Sequence, residues 1–476
     1  MVLTTIVALG AAASAAAQNT DEIAELRTLI EALRTDYEQR LSELEQRLEA
    51  AERAAASTAT QSTPSVAAQR TVATPQGGSV TAGNAFNPQI SVILDGGYYH
   101  DDGSGDGNIL VNEAAQPSLG GHGETEHDHA HGADISNGFN LRETEIAFTA
   151  AVDPYFDAAV YLALESGGEV EIEEAWFATR NLPAGLRLKA GKFLSDIGYL
   201  NNQHPHVWDF VDQNLAYQNL LGGHGLQDTG LQLTWLPDLP IYTVFGAELL
   251  QGDQDRLTAF VGEDAERQTL GLRDQKDGPR VYSLFAKVSP ELGYDHALRL
   301  GASYISGRQH QEIHEEPLFE TGLEGDAELW GIDVVYKYDN ASAYGYRDFA
   351  LQAEYLRSTK DLLVRAGDPA EIGNAREFTT DGMYIQGIYG LAPRWQFGLR
   401  YDTLGRTNEI TGDIRESFGA SDRWTSVLTW TPTEFSRLRL QYSQSDILTI
   451  DGGREKFDSF WLQWILSMGT HGAHRF

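Results

Sequence analysis

Large apolar residues recur at every second position along much of this chain, and the last run is the clearest. From Asp458 onward, Phe460, Leu462, Trp464, Leu466 and Met468 share one parity, and Trp461, Gln463, Ile465 and Ser467 the other. A strand alternates in this way when one face meets lipid and the other a wet lumen. From residue 88 the same rhythm predicts strands near 89–99, 139–152, 155–166, 171–180, 185–193, 228–237, 240–250 and 279–289. It continues near 294–306, 327–338, 346–357, 378–389, 393–403, 422–431, 434–445 and 457–470. That makes about sixteen strands, each long enough to cross a bilayer at a tilt. The fold class implied is an all-β transmembrane barrel of antiparallel strands over residues 88–476.

The connections agree with this. Short turns at Asp153-Pro154, Asn181 to Ala184, Pro237 to Pro240, Leu391-Ala392 and Pro432-Thr433 alternate with long acidic or Gly-rich loops. Short turns on one rim and long loops on the other are how outer-membrane barrels are built, with the long loops outside. An even strand count puts both chain ends on the short-turn rim, which is the periplasmic one.

Parity then assigns faces. Ile146, Phe148, Ala150 and Val152 point to lipid, as do Leu186, Leu188 and Ala190, Leu231, Leu233 and Trp235, Phe397, Leu399 and Tyr401, and Leu438, Leu440 and Tyr442. Their neighbours face the lumen as pore-lining charges: Glu143, Glu145, Arg187, Lys189, Arg400, Arg437 and Arg439. Acidic and basic groups on different walls set a field across a pore, or brace the barrel by pairing with one another. Parity alone leaves both open.

Ahead of the barrel the pattern changes. Residues 1–17 form a small apolar run ending Ala15-Ala16-Ala17, like the core and cleavage site of a secretory signal peptide. The basic residues expected before it are missing, so the expectation is a true start further upstream. Over 20–53, Ile23, Leu26, Ile30, Leu33 and Tyr37 are spaced 3, 4, 3, 4, and Leu41, Leu44, Leu48 and Ala51 resume at 3, 4, 3. This is a heptad with one stutter, an α-helical coiled coil in the periplasm that joins copies of the chain. Its own a and d residues lean toward a dimer in the first half and are ambiguous in the second. Residues 54–87, rich in Ala, Ser, Thr, Gln, Pro and Gly, read as a flexible linker.

Composition narrows the chemistry. The 476 residues include no Cys, which removes disulfides, thiol catalysis, thiolate metal sites and a lipid anchor together. No run approaches the ~20 apolar residues of a spanning helix. A formal charge of −34 excludes nucleic acid as a partner and favours cations. No compelling nucleophile–base set is visible, so the chain does not read as an enzyme.

Histidines cluster instead. His122, His127, His129 and His131 stand among Glu124, Glu126, Asp128 and Asp134 in the predicted external loop 100–138. Imidazoles and carboxylates without thiolate suit Zn²⁺, or Cu²⁺ and Ni²⁺. His204, His206 and His224 make a second candidate group, in segment 194–227, which is too apolar for a solvated loop. His310 and His314 with Glu312, Glu315 and Glu316 make a third, and His471 and His474 a fourth and weaker one.

Three stretches carry a family resemblance: His204-Pro205-His206-Val207-Trp208-Asp209-Phe210-Val211-Asp212, Leu221 through Gly230, and Ser467 through Phe476. With them the chain from 88 onward resembles porin-superfamily outer-membrane proteins that carry a periplasmic coiled coil and His-rich loops. Genomes often label these zinc-regulated or TonB-dependent outer-membrane receptors. The resemblance implies outer-membrane metal acquisition, chiefly of zinc, and a trimer rather than a dimer. It also implies that the third long loop, 194–227, folds inward as the constriction, and that the terminal Phe476 is read by the barrel assembly machinery.

The expected function is thus a porin-like channel in outer-membrane lipid for passive uptake of small solutes. Divalent cations, zinc above all, would be gathered by the acidic His-rich loops; no cofactor is required, and Zn²⁺ is transported or loop-bound. Two alternatives stand beside it. A TonB-dependent metal receptor needs a plug of roughly 100 to 150 residues in a 22-stranded barrel, and residues 1–87 leave no room for one. A structural tether acting through the coil would reach only ~45 Å, for ~30 residues at 1.5 Å each, and shows no recognisable wall-binding module.

Overall fold

The computed structural model of the chain describes residues 88–469, apart from 104–106, 113, 115–134, 166–169, 255, 258–268, 274–277, 316–319 and 450–451. The predicted leader 1–17, coil 20–53 and linker 54–87 lie outside the described residues. So do His122, His127, His129 and His131, and Phe476.

Alternating residues from Gln89 to Gly469 build one closed antiparallel barrel. Its strands are β1 (Gln89–Asp101), β2 (Gly138–Ala151), β3 (Phe156–Glu165), β4 (Val170–Thr179), β5 (Leu186–Leu194) and β6 (Gln227–Trp235). They continue as β7 (Tyr242–Leu250), β8 (Val281–Ser289), β9 (His296–Glu315), β10 (Glu320–Tyr338) and β11 (Phe349–Ala366). The last are β12 (Ala375–Ala392), β13 (Trp395–Gly412), β14 (Ser421–Thr433), β15 (Ser436–Leu448) and β16 (Arg454–Gly469). A two-residue strand, Glu416–Ser417, adds a short pairing to β13. Each strand pairs with its neighbour in sequence, and β1 closes on β16 from Ser91 opposite Gly469 to Asp101 opposite Ser459. Closure leaves no strand edge unpaired. Both barrel ends of the chain lie on the rim of short turns.

The faces follow parity. Outward, Leu231, Leu233, Trp235, Leu399, Leu440, Leu466 and Met468 are exposed, whereas inward Glu145, Lys189, Gln232, Arg400, Arg439 and Gln463 are buried. Ala190 keeps the outward parity but sits under Phe177, its cross-strand partner.

Strands β9 to β13 are longer than alternation predicts, at 18 to 20 residues. The excess, such as 358–366 and 404–412, rises on the long-loop rim. There the outer face meets no lipid, so apolar alternation stops while backbone pairing continues. Inside this extension Leu323, Leu362, Val364, Phe378 and Ile410 form a small core of their own.

The main core lies in the lumen. Residues 195–226, between β5 and β6, turn inward, and their Ile197, Leu200, Trp208, Leu215, Tyr217, Leu220 and Leu221 pack with Phe193, Leu250, Ile305, Leu329, Leu356 and Tyr384 of the wall. A short helix, α1 (Gly107–Asn112), adds Val111 and Leu110 to this cluster. A second, α2 (Leu215–Leu220), is capped by Asn214, whose side chain accepts from Tyr217 N at 3.0 Å. All six α2 residues are buried. Gly382 of β12 lets it approach, since a Cβ there would stand 2.8 Å from Ala216 Cβ.

Candidate functional site: the loop within the barrel

Charged and polar groups of the wall grip the inward loop at four places. Near its start, Glu248 of β7 accepts from Asp196 N at 3.1 Å and from the Ser195 hydroxyl. Next, Glu354 of β11 accepts from Tyr199 N at 2.9 Å, Leu200 N at 3.0 Å and Tyr217 Oη at 2.8 Å, and also from the Tyr384 hydroxyl. Gly198, at φ 55°, makes this turn possible, for a Cβ would lie 2.3 Å from both Glu354 Oε2 and Tyr217 Oη. Arg299 of β9 donates to Gly198 O at 2.7 Å.

The third grip is an arginine wall on β13, β14 and β15. Arg400 donates to Asp212 Oδ1 at 2.7 Å and to Asp212 O at 2.9 Å, and Arg423 to Asp212 Oδ2 at 2.9 Å and Gln213 O at 2.6 Å. Asp402, beneath them, takes an Nε–H from each. Arg439 donates to Phe210 O at 3.1 Å and to Trp208 O, and Arg437 to His206 O at 3.1 Å. Burial alone would raise the pKa of Asp212, but the guanidinium groups of Arg423 and Arg400 hold it down at about 2.

The fourth grip is acidic. His204 is buried against Glu145 of β2 and Glu173 and Glu174 of β4. Its Nε2 meets Glu174 Oε1 at 2.9 Å, and its Nδ1 lies 3.4 Å from Glu145 Oε2 and 3.3 Å from Glu173 Oε2. His206 Nδ1 lies 3.2 Å from the same Glu145 oxygen. Tyr161 of β3 stacks on the His204 ring at 4.8 Å, with His206 at 5.9 Å. Burial disfavours an imidazolium at His204, but Glu145 and Glu173 outweigh it and lift its pKa well above the usual histidine value.

Sequence parity located much of this wall. Arg400, Arg437 and Arg439 line the lumen but are committed to loop carbonyls or to Asp212, and Glu145 to the histidine pair. Glu143 is buried on the same face of β2, and Lys189 lies under Trp176 and Phe193, 5.5 and 4.8 Å from the ring centres. Arg187 takes the lumen parity of β5 opposite Thr234. His204 and His206 come together, whereas His224 stands apart, 4.0 Å from Glu171, which Lys192 also meets at 3.2 Å. This last group borders an opening of about 410 Å³ that Asp228, Asp253 and Arg256 also line. In the third predicted group, His310, His314 and Lys360 all contact Glu312 at 2.6 to 2.9 Å.

Glu173, Glu174, Asp212, Arg423 and Glu354 were not singled out from sequence. Two consecutive glutamates cannot both face inward on a regular strand. A bulge in β4 makes it so: Tyr161 pairs with Glu174 and Leu162 with Ile172, so Glu173 is left between them. The sequence signal was the break in alternation at Glu171-Ile172-Glu173-Glu174.

An uncharacterized protein of Aquifex aeolicus (strain VF5) is 33% identical to this chain over 399 residues, 82% of this chain and 80% of the relative. This chain belongs to that protein's family. No family model matches it. Among solved structures, the outer-membrane channel DcaP of Acinetobacter baumannii is similar with a TM-score of 0.45 and 14% identity, over 80% of this chain and 96% of that one. An anion-selective porin from Comamonas acidovorans has a TM-score of 0.43 and 9% identity, over 80% and 98%. Likeness at this level adds nothing to the strand register, which already closes the barrel. The label of zinc-regulated or TonB-dependent receptor finds no support among these proteins.

Proposed function

We propose that the chain is an outer-membrane diffusion channel for small solutes, narrowed by residues 195–226. The observation that carries this is a lumen crossed by a loop that the wall holds through charged groups beside an apolar core. A barrel filled only for stability would not need acidic anchors on one wall and arginines on another.

A lipid setting is supported by the outer face. Leu231, Leu233, Leu284, Leu399, Leu440 and Leu466 are each more than 40% exposed, far beyond what a soluble monomer shows as one continuous belt. Aromatic pairs flank it: Trp395 stacks on Trp430 at 5.6 Å near the short turns, and Tyr401 meets Trp424 at 4.7 Å one girdle higher. Sixteen long strands, rather than 22, favour a channel over a plugged receptor.

Solute would pass beside the loop through the opening lined by Glu171, Lys192, His224, Asp228, Asp253 and Arg256. With a formal charge of −34, cations are the favoured permeants, and His122, His127, His129 and His131 would gather divalent metal, zinc included, at the mouth. The coil 20–53 would join three copies on the periplasmic side.

Swelling of proteoliposomes in neutral sugars of rising size, together with reversal potentials in salt gradients, tests this. Swelling that falls off with sugar size and a cation-selective potential are expected. Vesicles that neither swell nor develop a potential would contradict a channel.

A further inference from the structure

The three atoms His204 Nδ1, Glu145 Oε2 and Glu173 Oε2 converge where β2, β4 and the inward loop meet, and His206 Nδ1 stands 3.2 Å from the same Glu145 oxygen. We propose that they form a resident binding site for one divalent transition-metal cation that clamps the loop to the barrel wall. Nothing in this depends on whether the barrel conducts.

The spacing comes first. For metal–ligand bonds of 2.0 to 2.1 Å, neighbouring ligands of a tetrahedron are about 3.3 Å apart. Three of the separations match: 3.4 Å (His204 to Glu145), 3.3 Å (His204 to Glu173) and 3.2 Å (His206 to Glu145). Glu145, Glu173 and His204 are all buried, and each offers one ligand atom within 4.8 Å of the other two.

The second observation is an unsatisfied oxygen. Glu145 is 2% exposed, and its Oε2 has no hydrogen bond although two imidazole nitrogens lie within 3.4 Å. A buried carboxylate oxygen left so is costly, whereas a cation between the three atoms would satisfy all of them.

The surroundings match what a ligating histidine needs. Glu174 Oε1 meets His204 Nε2 at 2.9 Å, which orients the ring so that Nδ1 faces the cluster, where a cation would take the place of its proton. Glu174 is itself held, since its other oxygen accepts from Leu194 N at 3.1 Å. Pro205 locks the turn between the two histidines, Val207 N donates to His204 O at 2.9 Å, and Arg437 holds His206 O. The β4 bulge divides the labour by aiming Glu173 at the cluster and Glu174 at the ring. Glu312 makes the contrast, for its two oxygens are bonded by His310, His314 and Lys360 and leave no place for a cation. Imidazole with carboxylate, and no thiolate, selects borderline cations such as Zn²⁺ and Co²⁺ over Mg²⁺ or Ca²⁺.

The test uses full-length protein with Ala at His122, His127, His129 and His131, which removes the external loop as a competing site. After chelation and dialysis against Co²⁺, a single retained ion per chain is expected, with the intense visible bands of four-coordinate cobalt, displaced by Zn²⁺. Glu145→Gln and His204→Gln, confirmed as folded by heat-modifiable migration in detergent gels, should each lose the ion, while His310→Gln keeps it. No retained ion in the folded parent protein, or retention unchanged by both site variants, overturns the proposal. Should both site variants misfold, the cobalt spectrum of the parent decides alone, and weak six-coordinate bands would refute the site. A barrel that binds the ion but passes no solute would refute only the channel.

Discussion

Asp212 is the residue on which the loop's position turns. It receives two guanidinium groups and Gln441, and the same two arginines also hold the fully buried Asp402, so removing either arginine leaves two carboxylates to share one cation. Arg423→Ala should therefore cost about 3–5 kcal/mol of barrel stability, read from urea unfolding in lipid vesicles. The carboxyl also sets a pH dependence. Its pKa is depressed on folding, so its stabilisation is complete above the unfolded value near 4 and is lost as pH falls through about 2. The gap in stability between the parent protein and Asp212→Asn should thus be about 2 kcal/mol above pH ~4 and vanish toward pH ~2. A gap that persists unchanged in acid would place Asp212's role outside its charge. Parity predicted the lumen arginines because a strand's period leaves no choice of face, and it missed their partner because Asp212 lies in a segment without period. Glu173 and Glu174 escaped for the opposite reason: a bulge changes parity midway, and only the paired strand reveals it.

The strands were legible because lipid imposes alternation on every membrane-crossing segment. Where that pressure ends, at the tops of β9 to β13, backbone pairing went on and sequence alone did not show it. Outward leucines carry the corresponding prediction. Leu440→Arg should lower folding free energy in bilayers by about 2–4 kcal/mol, with Leu399→Arg comparable, and both should be far milder in detergent. Equal effects in the two media would argue against a lipid-facing belt. The inward loop was anticipated from its apolar character and its order among the long loops, but not its four anchors, each of which joins residues more than fifty positions apart or on different strands. Ala216 and Gly382 offer a direct probe of this packing. Gly382→Leu should force α2 off β12 and lower barrel stability by about 1–3 kcal/mol in urea unfolding, since even a Cβ there would stand 2.8 Å from Ala216 Cβ. No loss of stability would place α2 away from β12.

For the molecule as a whole, a closed sheet supplies a rigid wall and the loop divides its lumen. Acidic groups on β2 and β4 face the histidines, and arginines on β13 to β15 face Asp212, so two arcs of wall joined through β16 and β1 hold two places on one strap. Predicted copies of the coil 20–53 would hold several such barrels together, and deleting it should leave folded barrels that cross-link only as monomers. The central claim is that the strap narrows a working pore rather than sealing the barrel. Single-channel recording in planar bilayers tests it most directly, comparing the natural chain with one in which 203–213 is replaced by a short Gly-Ser segment. Stepwise conductance in the natural chain, and a larger conductance with weaker selectivity in the replaced one, is the predicted result. Silence in the natural chain with open channels only after replacement would show a sealed barrel and contradict the account.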